Sequence, residues 1–521
     1  MAITGTDALW SATTDIPLDD RAIGEVVVDN ATAHPDRTAL VWPHSGGLRS
    51  WTWAELRAES EAFAHRLLTL ADPGDVVAVF AANSPDWVVF EYGAALAGVT
   101  LAAINTASVD VEVDHVVRTC HARAVFADAD FRGSPLLERV RAIASDIPTI
   151  ELAAWRGLPA GITSLPRVDA NSPFLIQFTS GTTGKPKAAV LSHRAAFNCA
   201  RYQMLRLDGT ADDNWLNVLP LHHVGGSVCV LLSMLAVGGS TTLAPSFDAG
   251  AVLGLIQQSR ATIIGLVPTM QLALLDHPDF ATSDLASLRA VMSGGSVVPT
   301  SLIHRVEKSF GATVVNAYGQ SESPSAIMTH PNDDAVTKAE TIGRPLDQRE
   351  VRVCRPDGST AAFDEVGELL MRSPLTMDHY LGSANDATLT ADGWLHTGDL
   401  CSMDDRGVVR IHGRLRDVII RGGENIYPAE VEDVMLRHPA VADVAVIGAP
   451  DERWGEVPVG FYRPAGGATP TETDLTDFGR VALAGFKVPR RWIAVDAFPL
   501  TPAGKVKKFV LREQLTRSEP S

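Results

Sequence analysis

The chain has 521 residues, which is too long for one ordinary hydrophobic core and predicts two or more domains. Hydrophobic residues make up 46% of it and charged residues 20%, a balance that is typical of folded globular proteins. The net charge of -18 argues against general nucleic-acid binding, because that function usually needs a basic face.

The cysteines and the apolar stretches indicate the cellular compartment of the protein. There are five cysteines with no two at C-x-x-C spacing, which predicts neither a disulfide framework nor a zinc site and fits a reducing cytoplasm. The first twenty residues carry no basic segment followed by an apolar one, so no signal peptide is predicted. The most apolar stretch, SVCVLLSMLAVGG at 227–239, is too short to span a bilayer and predicts a core helix.

Short β-rich runs alternate with helical patterns along the first two thirds of the chain. Residues 37–42 and 50–56 predict two strands and the start of a helix, and residues 75–105 predict strand, loop, apolar helix and strand. This alternation predicts parallel sheets packed between helices. Further strands are predicted in ARAVFAD (122–128), PFLIQFTS (173–180), ATIIGLVPT (261–269), LRAVMSGG (288–295) and ATVVNAYG (312–319), with helices at 195–205 and 299–310.

Several of these strands end in small or polar residues, in the segments TSGTTG, PTM, SGGS and AYGQSE. Ligands of open α/β sheets lie beyond the carboxyl ends of the strands. We therefore expect these distant segments to line one site.

The pattern of predicted secondary structure changes from about Val351. EVRVCRPDG, GELLMRSP and GVVRIHGRLRDVIIRGG predict antiparallel strands with glycine and aspartate turns. A helix is predicted to begin at Pro428, since proline is favoured in the first turn. A small α+β domain is predicted after about Arg414.

FTSGTTGKPKA at 178–188 has the residue types of a phosphate-binding loop. Its spacing is not that of a Walker A motif, which requires G-x-x-x-x-G-K-[ST]. Glycine N–H groups, the hydroxyls of Ser180, Thr182 and Thr183, and a lysine can still hold phosphate. The residues alone leave an ordinary surface turn equally open.

Other segments carry single residues of interest. Tyr318 is able to stack on a flat ring, Glu322 to ligate a hard cation such as Mg²⁺, and Asp399 to bind sugar hydroxyls. Each taken alone fits a loop or cap residue as well. Three arginines between 414 and 421 and a lysine at 505 likewise fit solvated surface positions.

The order and separation of these segments resemble the adenylate-forming superfamily, which comprises acyl-CoA synthetases, adenylation domains of peptide synthetases and beetle luciferases. The resemblance runs from about Ile23 to Leu511. The stretches that carry it are FTSGTTGKPKA, PLHHVGG (220–226), SGGS (293–296), AYGQSE, TIGRPL (341–346), GEL (367–369), WLHTGD, GRLRD, GGENIYPAEVE and GK (504–505).

The resemblance implies an α/β fold with two domains. A large N-terminal domain, residues 1–414, would contain stacked α/β sheets and a β-barrel-like subdomain. Residues 415–521 would form a small mobile α+β domain. The hinge would lie at Arg416, where relatives usually carry Asp or Lys.

The implied activity is that of an AMP-forming acyl-CoA synthetase. The enzyme would activate a carboxylic acid with ATP, in the presence of Mg²⁺, and then transfer the acyl group to coenzyme A. The implied ATP and AMP site comprises Thr179, Ser180, Gly181, Thr182, Thr183, Gly184, Lys185, Lys187, Gly294, Gly295, Asn316, Ala317, Tyr318, Gly319, Asp399, Ile411 and Arg414.

Catalytic roles follow from the same resemblance. Lys505 would bridge the carboxylate and the phosphate, Glu322 would hold Mg²⁺, and Ser321, where Thr is usual, would contact the α-phosphate. His223 matches an aromatic gate between the acid and the thiol. The residues implied to bind coenzyme A after the small domain rotates are Gly422, Gly423, Trp454, Phe486 and Lys487.

The implied acyl pocket is lined by small and apolar residues, which predict a hydrophobic acid of medium-chain, alicyclic or aryl type. Amino-acid activation is disfavoured, because HHVGGSVCVLLSML lacks the acid that would pair a substrate ammonium. The pocket residues are Val224, Gly225, Gly226, Val230, Ser293, Ser323 and Pro324.

Two alternatives stay open from the sequence. The enzyme could hand its acyl-adenylate to a carrier protein or another enzyme, or it could be an oxygenase of the luciferase kind. A nucleotide-binding module without turnover is disfavoured, because it predicts losses at Glu322, Asp399 or Lys505 and all three are present. The expected partners are small molecules only, with no nucleic acid and no membrane span, and a homodimer is left open.

Overall fold

The structure is a computed structural model that describes residues 7–161, 164–179, 186–294, 300–382, 388–500 and 506–518. The helices in these ranges are α1 (Ile23–Ala33), α2 (Trp53–Leu67), α3 (Pro85–Ala97), α4 (Asp110–Thr119), α5 (Leu136–Ile143), α6 (His193–Arg206), α7 (Ser233–Val237), α8 (Ala249–Ser259), α9 (Pro268–Leu275), α10 (Thr300–Phe310), α11 (Ala335–Glu340), α12 (Pro428–Met435), α13 (Glu472–Ala482) and α14 (Lys508–Ser518).

The strands of the described ranges are β1 (Leu9–Trp10), β2 (Thr38–His44), β3 (Gly47–Thr52), β4 (Val76–Phe80), β5 (Thr100–Ala103), β6 (Val125–Ala127), β7 (Thr149–Glu151), β8 (Pro173–Thr179), β9 (Lys187–Ser192), β10 (Asn214–Asn217), β11 (Ser240–Leu243), β12 (Ile263–Leu266), β13 (Ala290–Gly294), β14 (Thr313–Gln320), β15 (Ser323–Met328), β16 (Arg344–Pro345), β17 (Glu350–Cys354), β18 (Gly367–Arg372), β19 (His379–Tyr380), β20 (Leu395–Met403), β21 (Val409–Arg414), β22 (Ile419–Arg421), β23 (Glu424–Ile426), β24 (Val441–Asp451), β25 (Gly455–Pro464) and β26 (Arg491–Ala494).

Local sequence explains where several helices begin. Thr52 caps α2 and forms a capping box with Glu55, which satisfies two backbone N–H groups at the helix start. Ser84 caps α3, and Pro85 occupies the first helical position. Pro428 likewise begins α12, as the sequence predicts.

Two sheets built largely from parallel strands form the large N-terminal part. The β8 sheet has the order β19-β9-β8-β5-β4-β6-β7, and its strands from β8 to β7 are parallel. The β14 sheet has the order β16-β15-β14-β13-β12-β10-β11-β2-β3, parallel from β14 to β2. The predicted parallel sheets packed between helices are confirmed.

Antiparallel strands form the remaining sheets. The β18 sheet, with the order β1-β17-β18-β20-β21, occupies the place of the expected barrel-like subdomain. The β25 sheet, with the order β23-β22-β25-β24 and β26 beside β25, belongs to the smaller C-terminal domain. The chain is thus a mixed α/β protein with a large and a small domain, while a boundary at residue 414 stays a prediction.

The apolar stretch 227–239 folds as a buried π-helix, Ser227–Leu232, followed by α7. The structure has a core helix at the predicted position. Its first 6 residues form a π-helix, which is wider than an α-helix. Within the described residues, no helix combines the length and apolarity that crossing a membrane requires.

Glu91 on α3 is a fully buried carboxyl group. Neither of its carboxyl oxygens has a hydrogen-bond partner within the described residues. Burial raises its pKa from 4.5 to about 8, and the nearby Trp87 indole offsets this only in part. Glu91 is therefore protonated in the folded protein at neutral pH.

We predict that the wild type loses stability between about pH 4.5 and pH 8 and that Glu91→Gln abolishes this loss. A carboxyl whose pKa is raised by folding stabilises fully below its unfolded pKa, and this contribution is lost as pH rises through about 8. The expected slope approaches about 1.4 kcal/mol per pH unit for one proton. Thermal unfolding midpoints at pH 5, 6.5 and 8 should show the variant gaining on the wild type.

A matched control is Glu138→Gln on α5, whose carboxylate is mostly exposed. The thermal unfolding midpoint of Glu138→Gln should change with pH as that of the wild type does. A constant offset between Glu91→Gln and the wild type would mean that Glu91 is already ionised in the folded protein.

Candidate active site

Part of the predicted site lies outside the described residues. These are Ser180, Gly181, Thr182, Thr183, Gly184, Lys185, Gly295 and Lys505. The flanking residues are described: Thr179 ends β8, Lys187 begins β9, and the two are paired across these strands. Gly294 ends β13 beside Ala317 of β14.

Three predicted residues form a polar chain that runs from the buried Tyr318 to the exposed Arg414. The Tyr318 hydroxyl donates to Asp399 Oδ2 at 2.6 Å, and the Arg414 Nε lies 3.2 Å from Asp399 Oδ1. Burial raises the pKa of Tyr318 well above its usual value, and the Asp399 charge adds to this. The hydroxyl is therefore a donor at any physiological pH. The structure brings these residues together, although they lie far apart in sequence.

Asn316 lies on the same strand as Tyr318 and is held firmly. Its Nδ2 donates to the carbonyls of Lys338 at 2.5 Å and Thr341 at 3.2 Å. Its Oδ1 is buried and has no partner within the described residues. An unpaired buried acceptor costs about 1–3 kcal/mol, so a donor on a bound ligand would be favourable here.

Glu322 lies in the turn between β14 and β15 and is held by a residue that sequence reasoning missed. The Tyr380 hydroxyl donates to Glu322 Oε1 at 2.6 Å, and the Glu322 carbonyl accepts from the Met377 N–H at 2.7 Å. Tyr380 belongs to β19, the edge strand of the β8 sheet, so this contact joins the two large sheets. No local spacing signals it, since it depends on a distant strand pairing.

The side chains around Glu322 suit a magnesium ion whose other ligands come mainly from the phosphates of a bound nucleotide. In the part of the chain that the structure describes, no group of three or more His, Cys, Asp or Glu side chains is close enough to hold a metal. Mg²⁺ is often bound by one or two carboxylates together with substrate phosphates and water. Glu322 Oε2, which no described residue contacts by a hydrogen bond, is a suitable ligand for it.

Buried amides hold the backbone of the loop after β10. Asn83 Nδ2 donates to the carbonyls of Leu219 and Ala244, both at 3.0 Å, and its Oδ1 accepts from the Leu221 N–H at 2.8 Å. Gln177 Nε2 donates to the carbonyl of His222 at 3.0 Å. The loop is thus fixed by side chains of the β8 sheet and of the loop that follows β4.

The two histidines of this loop differ in environment. His222 is buried, and burial lowers its pKa to about 3, with a smaller contribution from His223. His223 is exposed, and its Nδ1 accepts the Gly225 N–H at 3.0 Å. Only His223 is placed to meet a ligand from solvent, in keeping with the predicted gate.

Three of the predicted acyl-pocket residues belong to this loop, and Val230 lies in the π-helix that follows it. Val224 and Val230 are buried in one core cluster with Tyr318. A Cβ on Gly226 would lie 2.4 Å from the Pro220 carbonyl oxygen, so glycine is required there by the loop itself. Gly225 carries the N–H that meets His223.

Two serines and a proline complete the predicted pocket. The Ser293 hydroxyl accepts from Gln271 Nε2 at 2.8 Å. The Ser323 hydroxyl is buried without a partner among the described residues. The Pro324 carbonyl accepts from the fully buried Arg349 at 3.1 Å.

Three further residues that were predicted for the nucleotide site lie in strands β14 and β21 and in the turn after β14. Ser321 lies in the turn before Glu322, and Ile411 pairs with Cys401 in the β18 sheet. Gly319 lies at the irregularity where β14 meets β15.

In the small domain, Arg421 connects the two aromatics predicted for coenzyme A. Its Nη1 donates to the Phe486 carbonyl at 2.9 Å, and its Cζ lies 5.2 Å from the Trp454 ring centroid. A Cβ on Gly422 would lie 2.7 Å from Trp454 Cε3, and its φ is +60°. In this conformation the absence of a side chain on Gly422 leaves room for the Trp454 ring.

The other small-domain predictions have distinct surroundings. The Lys487 Nζ forms an ion pair with Glu430 at 2.7 Å, so a ligand phosphate would have to displace it. Gly423 has a φ of +90° and nothing near the position of its Cβ. Arg416 is exposed in the turn Leu415–Asp417, where the hinge is predicted.

Comparison with known proteins identifies the family of this chain. The AMP-binding enzyme family matches residues 27–381, and the AMP-binding enzyme C-terminal domain matches residues 430–505. A 3-[(3aS,4S,7aS)-7a-methyl-1,5-dioxo-octahydro-1H-inden-4-yl]propanoyl:CoA ligase of Rhodococcus jostii is 36% identical over 473 residues, covering 85% of this chain and 89% of the relative. A mitochondrial medium-chain acyl-CoA ligase of Rattus norvegicus is 32% identical, covering 96% and 89%.

A solved structure is similar over the same length. The o-succinylbenzoate CoA synthetase of Bacillus subtilis, in complex with its acyl-adenylate intermediate, superposes with a TM-score of 0.84 at 29% identity, covering 97% of this chain and 99% of that one. Taken with the family matches, these likenesses show that the chain belongs to the AMP-binding enzymes, as an acyl-CoA synthetase of the adenylate-forming superfamily.

Proposed function

We propose that this AMP-forming acyl-CoA synthetase activates a hydrophobic carboxylic acid and that the residues at the carboxyl ends of β13 and β14 bind its ATP. The observation that supports this most directly is the Tyr318–Asp399–Arg414 chain beside Asn316. In the proposal, Tyr318 packs on the adenine, the free Oδ1 of Asn316 accepts from its amino group, and Asp399 accepts from the ribose hydroxyls.

The first step would be attack of the acid's carboxylate oxygen on the α-phosphorus of ATP, which breaks the bond to pyrophosphate. The reacting groups are all anions, so the enzyme must supply positive charge and donors. In the proposal, Lys187 and the neighbouring loop hold the pyrophosphate end, Ser321 donates to the α-phosphate, and Lys505 bridges carboxylate and phosphate. A bound Mg²⁺ would neutralise phosphate charge, and Glu322 is the residue that would hold it.

In the second step the thiolate of coenzyme A would attack the acyl carbon and AMP would leave. His223 is the residue at the entrance between the two reactants, and its exposure suits a side chain that must move aside. The small domain would supply Gly422 and Gly423 for the pantetheine and Trp454 with Phe486 for the adenine. This use requires rotation about the predicted hinge at Arg416.

The acid is proposed to be medium-chain, alicyclic or aryl. Val224 and Val230 are buried and apolar, and the stretch 218–232 contains no acidic residue, so an ammonium group bound beside it would be left unpaired. The relatives' names include a bicyclic propanoyl acid and medium-chain acids, and the solved neighbour acts on an aryl acid. We further propose that the enzyme works in the cytoplasm.

An acid panel tests this proposal. With ATP, Mg²⁺ and coenzyme A, we expect pyrophosphate release and thioester formation on the same hydrophobic acids, measured in parallel, and neither on glycine, alanine or leucine. Pyrophosphate release without thioester would contradict the two-step assignment and favour a different acceptor. Turnover of amino acids would contradict the proposed pocket.

A second prediction separates the half-reactions. Lys505→Ala should slow adenylation about 10²–10³-fold, because it removes the charge that bridges the two anions. It should spare thioester formation from supplied acyl-adenylate, since that step does not use this lysine. The matched control is Lys507→Ala, two residues further on, which should leave both steps near wild-type rates. Equal losses in both steps would show that Lys505 has another role.

A further inference from the structure

Tyr380 contacts the two parts of the nucleotide site that carry opposite charges. Its strand, β19, pairs with β9 directly after the phosphate-loop segment, with Tyr380 opposite Ala189. The Leu381 N–H donates to the Ala188 carbonyl at 2.8 Å and continues this pairing. The side chain is buried, so its position is set by the fold.

The hydroxyl of Tyr380 fixes the carboxylate side. Its 2.6 Å bond to Glu322 Oε1 is a charge-assisted hydrogen bond at the short end of the usual range. It occupies one carboxylate oxygen and leaves Oε2 as the oxygen available to a cation. Outer donors of this kind orient metal-binding carboxylates and commonly affect metal affinity 10–100-fold.

The ring of Tyr380 supports the cationic side. The Lys187 Nζ lies 4.9 Å from its centroid, within the range of a cation–π contact, and 3.4 Å from the Thr388 hydroxyl. One side chain therefore touches both the carboxylate proposed to hold Mg²⁺ and a lysine proposed to hold pyrophosphate. The hydroxyl contacts the carboxylate by a hydrogen bond, and the ring contacts the lysine by a cation–π interaction.

We infer that Tyr380 is a positioning residue for the adenylation step: its hydroxyl sets Glu322 for the metal, and its ring sets Lys187 for the phosphates. This inference rests on the proposed function of Glu322 and Lys187. It differs from a purely structural role in predicting that loss of the hydroxyl affects the metal and not the nucleotide.

The test uses Tyr380→Phe, which keeps the ring, and Tyr380→Leu, which loses both groups. Mn²⁺ binding is measured by electron paramagnetic resonance in the presence of α,β-methylene-ATP, whose α–β linkage cannot be cleaved. Affinity for that nucleotide is measured separately by calorimetry in EDTA. Tyr380→Phe should bind Mn²⁺ about tenfold more weakly with unchanged nucleotide affinity, whereas Tyr380→Leu should weaken both.

Tyr202→Phe is the matched control, because its buried hydroxyl donates at 2.8 Å to the Ile16 carbonyl and plays no part in this site. It should match the wild type in both measurements. Glu322→Gln provides a second comparison, since adding Tyr380→Phe to it should cause no further loss of Mn²⁺ binding if the hydroxyl acts through Glu322.

The outcomes are distinguishable. Wild-type Mn²⁺ affinity in Tyr380→Phe, or an additive loss in the double variant, overturns this inference and leaves the proposed function standing. A wild-type protein that binds α,β-methylene-ATP and takes up no Mn²⁺ overturns the metal role of Glu322 and this inference together.

Discussion

Buried side-chain amides hold the loop after β10, and the site's geometry depends on them. Asn83 and Gln177 come from the β8 sheet side, and Asn217 at the end of β10 accepts from the Leu219 N–H and donates to the Gly226 carbonyl. Each bond is worth only about 1 kcal/mol net, but each group left unpaired would cost about 1–3 kcal/mol. The loop therefore has one favourable position, which fixes His223 relative to the strand ends of both sheets.

The proposed nucleotide site would bind anions in a protein that is acidic overall. The chain carries a net charge of -18, yet Arg414 lies beside Asp399 and Lys187 lies beside Tyr380 in the proposed site. Partnering each cation with a carboxylate or an aromatic ring holds it in place before the substrate arrives. Charges ordered in advance stabilise a transition state without reorganisation at the moment of reaction. In the proposed site, the local arrangement of charges, and not the overall charge, would govern anion binding.

The sequence predicted the alternating strands, because strand and helix patterns are local signals, and the order of its motifs named the candidate nucleotide-site residues. It identified Tyr318, Glu322 and Asp399, and the structure brings Tyr318 and Asp399 into contact. It did not predict Tyr380, and it left Arg421 as a residue that fits a solvated surface position, because the contacts of both arise from pairings between distant segments. The assignment of Gly422 to coenzyme A concerns a rotated small domain and stays a prediction; in this conformation the Trp454 ring lies against it. A pattern shows which residue types are present, but contacts across the fold decide what each one touches.

The short strand β1 joins the start of the described chain to its second half. Leu9 pairs with Arg352, and the Thr13 hydroxyl bonds to Asp347, which lies 334 residues further along the chain. Contacts between segments so distant in sequence carry a loop-closure cost, and we expect them to form more slowly than local contacts. The same β18 sheet carries Asp399 and Arg414, so we expect nucleotide binding to report on whether these distant segments have paired.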